Sequence, residues 1–154
     1  MSQTLAPCAF LTSSKSKIRR GENKAKVLDD MFEYMRDPHN IVIVEGKHDG
    51  IKMAQYGIPY LTFDRLLYDG HEMHKYGTAI ILTDLDGGGD GKLEKIKNII
   101  KERWPGMVID EKTRKRFLGL IGVPCVEEIG KPLESILLES DQHLKVGSIR
   151  MEGN

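Results

Sequence analysis

The sequence holds only two cysteines in 154 residues, Cys8 and Cys125, far apart and outside any CxxC or Cys/His spacing. That scarcity excludes a zinc site or a disulfide framework as the organising device and leaves two reduced thiols. Net charge is also absent. Lys plus Arg and Asp plus Glu both total 23, so the chain as a whole does not attract a polyanion, and any nucleic-acid contact has to be local. No run approaches the roughly 18–20 apolar residues of a membrane helix, and the longest aliphatic stretches, such as Ala79 to Leu82, are strand-sized. Met1 to Phe10 lacks a basic start followed by a sustained apolar run, so no secretory signal is expected and the cytoplasm is the expected location. Repeats and low-complexity tracts are missing as well. The spacing HExxH does not occur: His71 and His74 stand in Gly70-His71-Glu72-Met73-His74, and these two, with His48, read as surface or packing residues.

What is there is an alternation of short apolar runs and amphipathic stretches. Residues 24 to 36 carry Val27, Leu28, Met31, Phe32 and Met35 at helical spacing before Asp37-Pro38 stops them, which predicts a docking helix over 24–38. Ile41 to Val44 is a β-branched run of the kind buried on both faces of a parallel sheet, and Thr78 to Thr83 reads as a second buried strand. Between them, His48 to Tyr56 predicts a short helix ended by Gly57, Ile58 to Phe63 a strand, and 64–76 a mixed segment. Further on, 91–104 predicts a helix broken by Pro105-Gly106, Met107 to Ile109 a strand, and Glu111 to Ile121 a basic helix. Pro124 to Ile129 reads as an edge strand or loop and Lys131 to Ser140 as a last helix. These elements predict an α/β fold, a compact Rossmann-like, doubly wound and mainly parallel sheet with helices on both faces, over residues 39–140. Residues 1–23 read as a basic flexible arm and 141–154 as a frayed tail.

In such sheets ligands bind outside the carboxyl ends of the strands. Glu45 follows the first convincing strand, and Asp84 and Asp86 follow the second. Two residues apart on near-extended chain, the aspartates lean to one side, and the glycines at 87, 88, 89 and 91 let the backbone turn away. Hard oxygen donors of this kind suit Mg2+, which keeps several waters and takes only one or two carboxylates besides substrate phosphates. Other phosphate and metal motifs fail here. A P-loop would need glycine at Asp86 and Ser or Thr at Leu93, a dinucleotide fingerprint would need glycine at Lys92, and an EF-hand from Asp84 would use Gly88 as ligand and Lys95 as its final glutamate.

Val44-Glu45-Gly46-Lys47-x-Asp49 followed by Asp84-x-Asp86-x-x-Gly89 resembles the two motifs of the Toprim domain, in the same order and strand context. The resemblance spans about residues 39 to 130, and in length and layout the chain is similar to the small single-domain Toprim proteins of archaea, with ribonuclease M5 and the primase cores as relatives. It implies that Glu45 serves as general acid or base and, with Asp84 and Asp86, holds magnesium. It also implies that Gly46, Lys47, Asp49 and Gly89 assist phosphate binding or local hydrogen bonding. Asp90 departs from the glutamate or arginine common in relatives, and the run 87–89 is unusually rich in glycine.

A topoisomerase would need a tyrosine nucleophile in a second module and a primase would need further template-handling segments, so the resemblance implies a stand-alone metal-dependent nuclease. Structured RNA is the first substrate class and DNA the second. A non-catalytic module docking on nucleic acid, on a repair or RNA-processing partner, or on a second copy of the chain is the alternative. A third reading takes Ile80 to Gly87 as similar to the first motif of haloacid-dehalogenase-like phosphatases, with Asp84 as nucleophile and Asp86 as acid/base, although Gly88 stands where Thr or Val is usual. Two basic groups offer local positive charge, Lys15 to Lys26 in the arm and Lys112, Arg114, Lys115 and Arg116 on one helix, each a phosphate contact or a solvated face. Trp104 and Phe117 fall on apolar helix faces and are expected in the core.

Overall fold

A computed structural model describes residues 24–139; the expected basic arm and the tail beyond 140 lie outside the described residues. The chain runs as α1 (Lys24–Arg36), β1 (Asn40–Val44), α2 (Lys47–Gln55), β2 (Tyr60–Thr62), α3 (Phe63–Asp69), a 3-10 turn (Gly70–Lys75), β3 (Thr78–Leu82), α4 (Gly87–Arg103), β4 (Val108–Asp110), α5 (Lys112–Ile121), a 3-10 turn (Val126–Glu128) and α6 over 130–139. The four strands form one sheet in the order β2-β1-β3-β4, and every pairing is parallel. β1 and β3 pair along their whole length, from Asn40 opposite Thr78 to Val44 opposite Leu82, and both are buried as continuous apolar runs. That is the expected state of central strands covered by helices on both sides.

Side-chain alternation divides these strands between two cores. Val42, Val44, Ile80 and Leu82 face a layer built from α1, α2, α5 and α6, with Leu28, Met31, Met53, Phe117 and Leu133 at its centre. Ile41, Ile43, Ala79 and Ile81 face α3, its 3-10 turn and α4 through Leu66, Met73, Leu93, Ile96 and Ile100. The chain is therefore an α/β protein with a four-stranded parallel sheet and six helices, three layers wound on both faces. Each fully buried aliphatic of this kind stabilises the fold by roughly 1.5–3 kcal/mol before entropy is counted. The docking helix α1 is held at its end by Arg36, whose guanidinium donates to Tyr56 O at 2.7 and 3.0 Å while covering the Phe32 ring. No helix among the described residues is long and apolar enough to cross a membrane.

Two local expectations are resolved and one changes. The mixed segment 64–76 is a short helix followed by a 3-10 turn, with Thr62 capping α3 by accepting from Arg65 N. Pro124 to Ile129 is a loop with a 3-10 turn and adds no strand to the sheet. The largest difference is at α4, which begins at Gly87 and not at residue 91. The glycines 87 to 89 form its first turn because Asp86 caps it, accepting from Gly89 N at 2.6 Å, and Asp90 stands in that turn where an acid complements the helix dipole.

Candidate functional site: an acidic strand-end cluster

β1 sends the chain to β2 on one side and is flanked by β3 on the other, so the order in which strands are added reverses between β1 and β3 while all remain parallel. The crevice at the carboxyl ends of such a pair is the usual ligand position in open α/β sheets. Glu45 and Asp84 leave β1 and β3 at this point, and the Asp84 N–H donates to Glu45 Oε2 at 2.7 Å. The second Glu45 oxygen lies 3.5 Å from Lys92 Nζ, which reaches across from α4 over the Phe63 ring. Lys92 is a site residue that the motifs do not name. It reaches the site from the second turn of a helix whose start is Gly87, and no local pattern in the sequence marks it.

Asp84 is the most strongly perturbed acid of the cluster. Burial, followed by the negative charges of Glu45, Asp49 and Asp86, pushes its carboxyl from 3.8 up to about 6. Asp49 is also shifted upward, first by burial and then by Glu45 and Glu127, against the Gly46 N–H that it accepts at 3.3 Å. Asp49 is thus nearly buried and stabilises the first turn of α2, so of the two roles implied for it local hydrogen bonding is the one its geometry serves. Lys47 is exposed at the start of the same helix. Asp86 is exposed, but its Oδ1 is engaged in capping α4, so the aspartates do not stand equally free for one cation.

Among the described residues no three His, Cys, Asp or Glu side chains are gathered closely enough to hold a metal ion by themselves. The donor set nevertheless suits magnesium. Burial and neighbouring negative charge make the Asp84 carboxylate hard to ionise, a cost a cation would relieve, Asp86 keeps an oxygen beyond its cap, and a magnesium ion needs only one or two carboxylates beside waters and phosphate. An acid whose folded pKa exceeds its unfolded value costs nothing at low pH, where both states are protonated, and destabilises progressively as pH rises from the unfolded to the folded value. Asp84→Asn in EDTA should therefore be more stable than the parent by about 1–2 kcal/mol at about pH 7.5, with solvent screening allowed for, and equal to it near pH 4. Urea unfolding at the two pH values measures this, and an unchanged midpoint at both would show that Asp84 is not held in an uncompensated negative field.

The floor beneath the acids is a buried clamp. Arg114 of α5 is almost fully enclosed, donating from Nε to Thr83 O at 2.9 Å and from Nη2 to Asp84 O at 2.5 Å and Asp90 Oδ1 at 2.6 Å. Both expectations for this arginine, phosphate contact and solvated helix face, are corrected. The apolar face of α5 runs through Phe117, Leu118 and Ile121, and Arg114 lies three, four and seven residues before them, on the same face. Lys112 and Lys115 remain exposed, and Arg116 is partly enclosed. Thr83 Oγ1 donates to Gly89 O at 2.8 Å, and the Gly89 Cα approaches Asp84 O so closely that a Cβ there would stand 1.8 Å from it.

Opposite, Leu85 N donates to Pro124 O at 2.7 Å and brings the loop of Cys125, Glu127 and Glu128 to the rim. Burial and a hydrogen bond to Glu128 push the Cys125 thiol up to about 12, so it is no nucleophile at neutral pH. Cys8 lies outside the described residues. Phe117 is fully buried and Trp104 packs on the α4 side of the sheet, while His48, His71 and His74 are exposed, as expected.

No protein-family model matches the sequence, and no curated protein matches it. Among solved structures, a protein of Aquifex aeolicus with no named activity is similar to this chain at 22% identity and a TM-score of 0.51, covering 66% of this chain and 96% of its own. At that identity the likeness is one of fold.

Proposed function

We propose that this chain is a Toprim-type, magnesium-dependent phosphodiester hydrolase acting on nucleic acid, with structured RNA as the first substrate class and DNA as the second. The observation that carries the reading is the junction of Glu45 and Asp84 at the switch point of the sheet, 2.7 Å from carboxylate to backbone N–H, with Asp86 beside them. Asp84 and Asp86 would hold the ion and Glu45 would transfer the proton. When bound, magnesium supplies positive charge against the phosphate oxygens. Lys92 holds one oxygen of Glu45, so the glutamate keeps a fixed orientation while its side chain remains 16% exposed. Lys47 offers a cation to a substrate phosphate at the free end of α2.

A second reading has its own support. Both oxygens of Glu45 already have partners, and the carboxylates do not close on a point, a geometry compatible with a non-catalytic module that docks on nucleic acid or on a protein partner. Labelled structured RNA, single-stranded DNA and duplex DNA, each incubated with magnesium, manganese or EDTA, decide between the two. Metal-dependent cleavage should fall by about 100-fold in Glu45→Gln and in Asp84→Asn. Binding without cleavage, unaltered by either substitution, would replace the hydrolase with the docking module.

A further inference from the structure

A cavity of about 550 Å3 opens beside the edge strand β2, walled by α3 and the 3-10 turn after it, and Lys47 lines it from the acidic end of the sheet. The volume falls within the roughly 300–1,000 Å3 of small-molecule sites. Its apolar lining comes from Ile41, Leu61 and Met73, all on the α3 and α4 side of the sheet. The polar groups around them divide into two sets. Asp69 is engaged by Arg65 at 3.3 Å and His71 at 2.8 Å, and Glu72 by Lys75 at 2.9 Å. The Lys47 ammonium and the Asp64 carboxylate line the same cavity, and neither has a hydrogen bond or ion pair to another described residue.

A ligand that satisfies this lining carries an anion, a flat or apolar body and a hydrogen-bond donor in one molecule. Phosphate answers Lys47, a hydroxyl or exocyclic amine answers Asp64, and a base covers the apolar residues. Lys47 opens the helix that follows Glu45 at the end of β1, so it is the lining residue that joins the cavity to the acidic end of the sheet. We propose that the cavity receives one unstacked nucleotide of the substrate strand, its phosphate at Lys47 and its ribose or base donor at Asp64. This rests on the nucleic-acid reading of the acidic site and deepens it. A strand that must place one base in a pocket is taken from a loop, a bulge or an end in preference to a continuous duplex.

The chain supplies its own reporter. Trp104 is the sole tryptophan, and its ring packs on Gly70, a residue of the cavity wall, closely enough that a Cβ there would lie 2.7 Å from it. The full chain in EDTA is titrated with nucleoside 5′-monophosphates, with the matching nucleosides and with inorganic phosphate, following tryptophan fluorescence and, in parallel, equilibrium dialysis. Saturable binding of a monophosphate is expected, about 10-fold tighter than nucleoside or phosphate alone. Asp64→Asn and Lys47→Met should each weaken it by about 10-fold. No saturable binding by dialysis overturns the proposal, as does phosphate binding as tightly as the nucleotide, or binding that survives both Asp64→Asn and Lys47→Met. Metal-dependent cleavage of a polymer without monophosphate binding discards the pocket and keeps the hydrolase. Monophosphate binding that depends on Asp64, with no polymer cleaved, keeps the pocket and discards the hydrolase.

Discussion

Gly89→Ala should destabilise the fold by about 3 kcal/mol or more, whereas Gly91→Ala, in the same helix, should stabilise it by about 0.5–1 kcal/mol. The two glycines differ in what a methyl group would meet. At Gly91 it meets nothing within 4 Å, and alanine simply removes the excess backbone entropy of a glycine in a helix. At Gly89 it would lie 1.8 Å from Asp84 O, 2.5 Å from its carbonyl carbon and 2.8 Å from its Cα. These are backbone atoms, so no rotamer change relieves the clash. Nor is the helix free to back away, because Gly89 N is held by Asp86 and Gly89 O by Thr83. Relief requires moving α4 from the end of β3, which displaces Asp84 and loosens the cap. Urea unfolding of the two variants beside the parent measures the difference. Equal midpoints for Gly89→Ala and the parent would mean that the turn after β3 is not packed as closely as the structure has it.

Much of this arrangement was legible in the sequence, and the parts that were not have physical reasons. Ile41 to Val44 and Thr78 to Thr83 announce themselves as central strands because only a strand covered on both faces tolerates so continuous a β-branched run. Each ends abruptly in acid, which put Glu45 and Asp84 at strand ends before any pairing was known. The order β2-β1-β3-β4 was beyond reach, since it is set by long-range pairing, and with it the knowledge that β1 and β3 are neighbours. The start of α4 was misplaced because three successive glycines read as loop by composition. Asp86 followed three residues later by the Gly89 N–H it caps, with Asp90 in the first turn, was the competing signal. Arg114 was misjudged with its basic neighbours, although its spacing from Phe117, Leu118 and Ile121 sets it on the apolar face. Lys92 and the loop of Glu127 and Glu128 reach the site only through tertiary structure, and no local pattern marks them.

Arg114→Met should cost about 3 kcal/mol, with Asp90→Asn costing under about 1 kcal/mol, even though the two side chains form one ion pair. The reason lies in their surroundings. The Arg114 side chain is 2% exposed and that of Asp90 66% exposed, so an unpaired aspartate returns to water while an absent guanidinium leaves Thr83 O and Asp84 O without their buried donors. Each unsatisfied buried carbonyl costs roughly 1–3 kcal/mol, and methionine fills the volume of the stem but donates nothing. Arg114→Lys should fall between the two, because an ammonium is a point charge that cannot serve Nε and Nη2 acceptors in the fixed fork of a guanidinium. Denaturant midpoints order the three variants. If Asp90→Asn proved as damaging as Arg114→Met, the ion pair would be what fixes α5 against the end of β3. The expected order instead assigns that work to the two carbonyls, and makes a buried arginine on α5 the part that sets the height of Asp84 above the sheet.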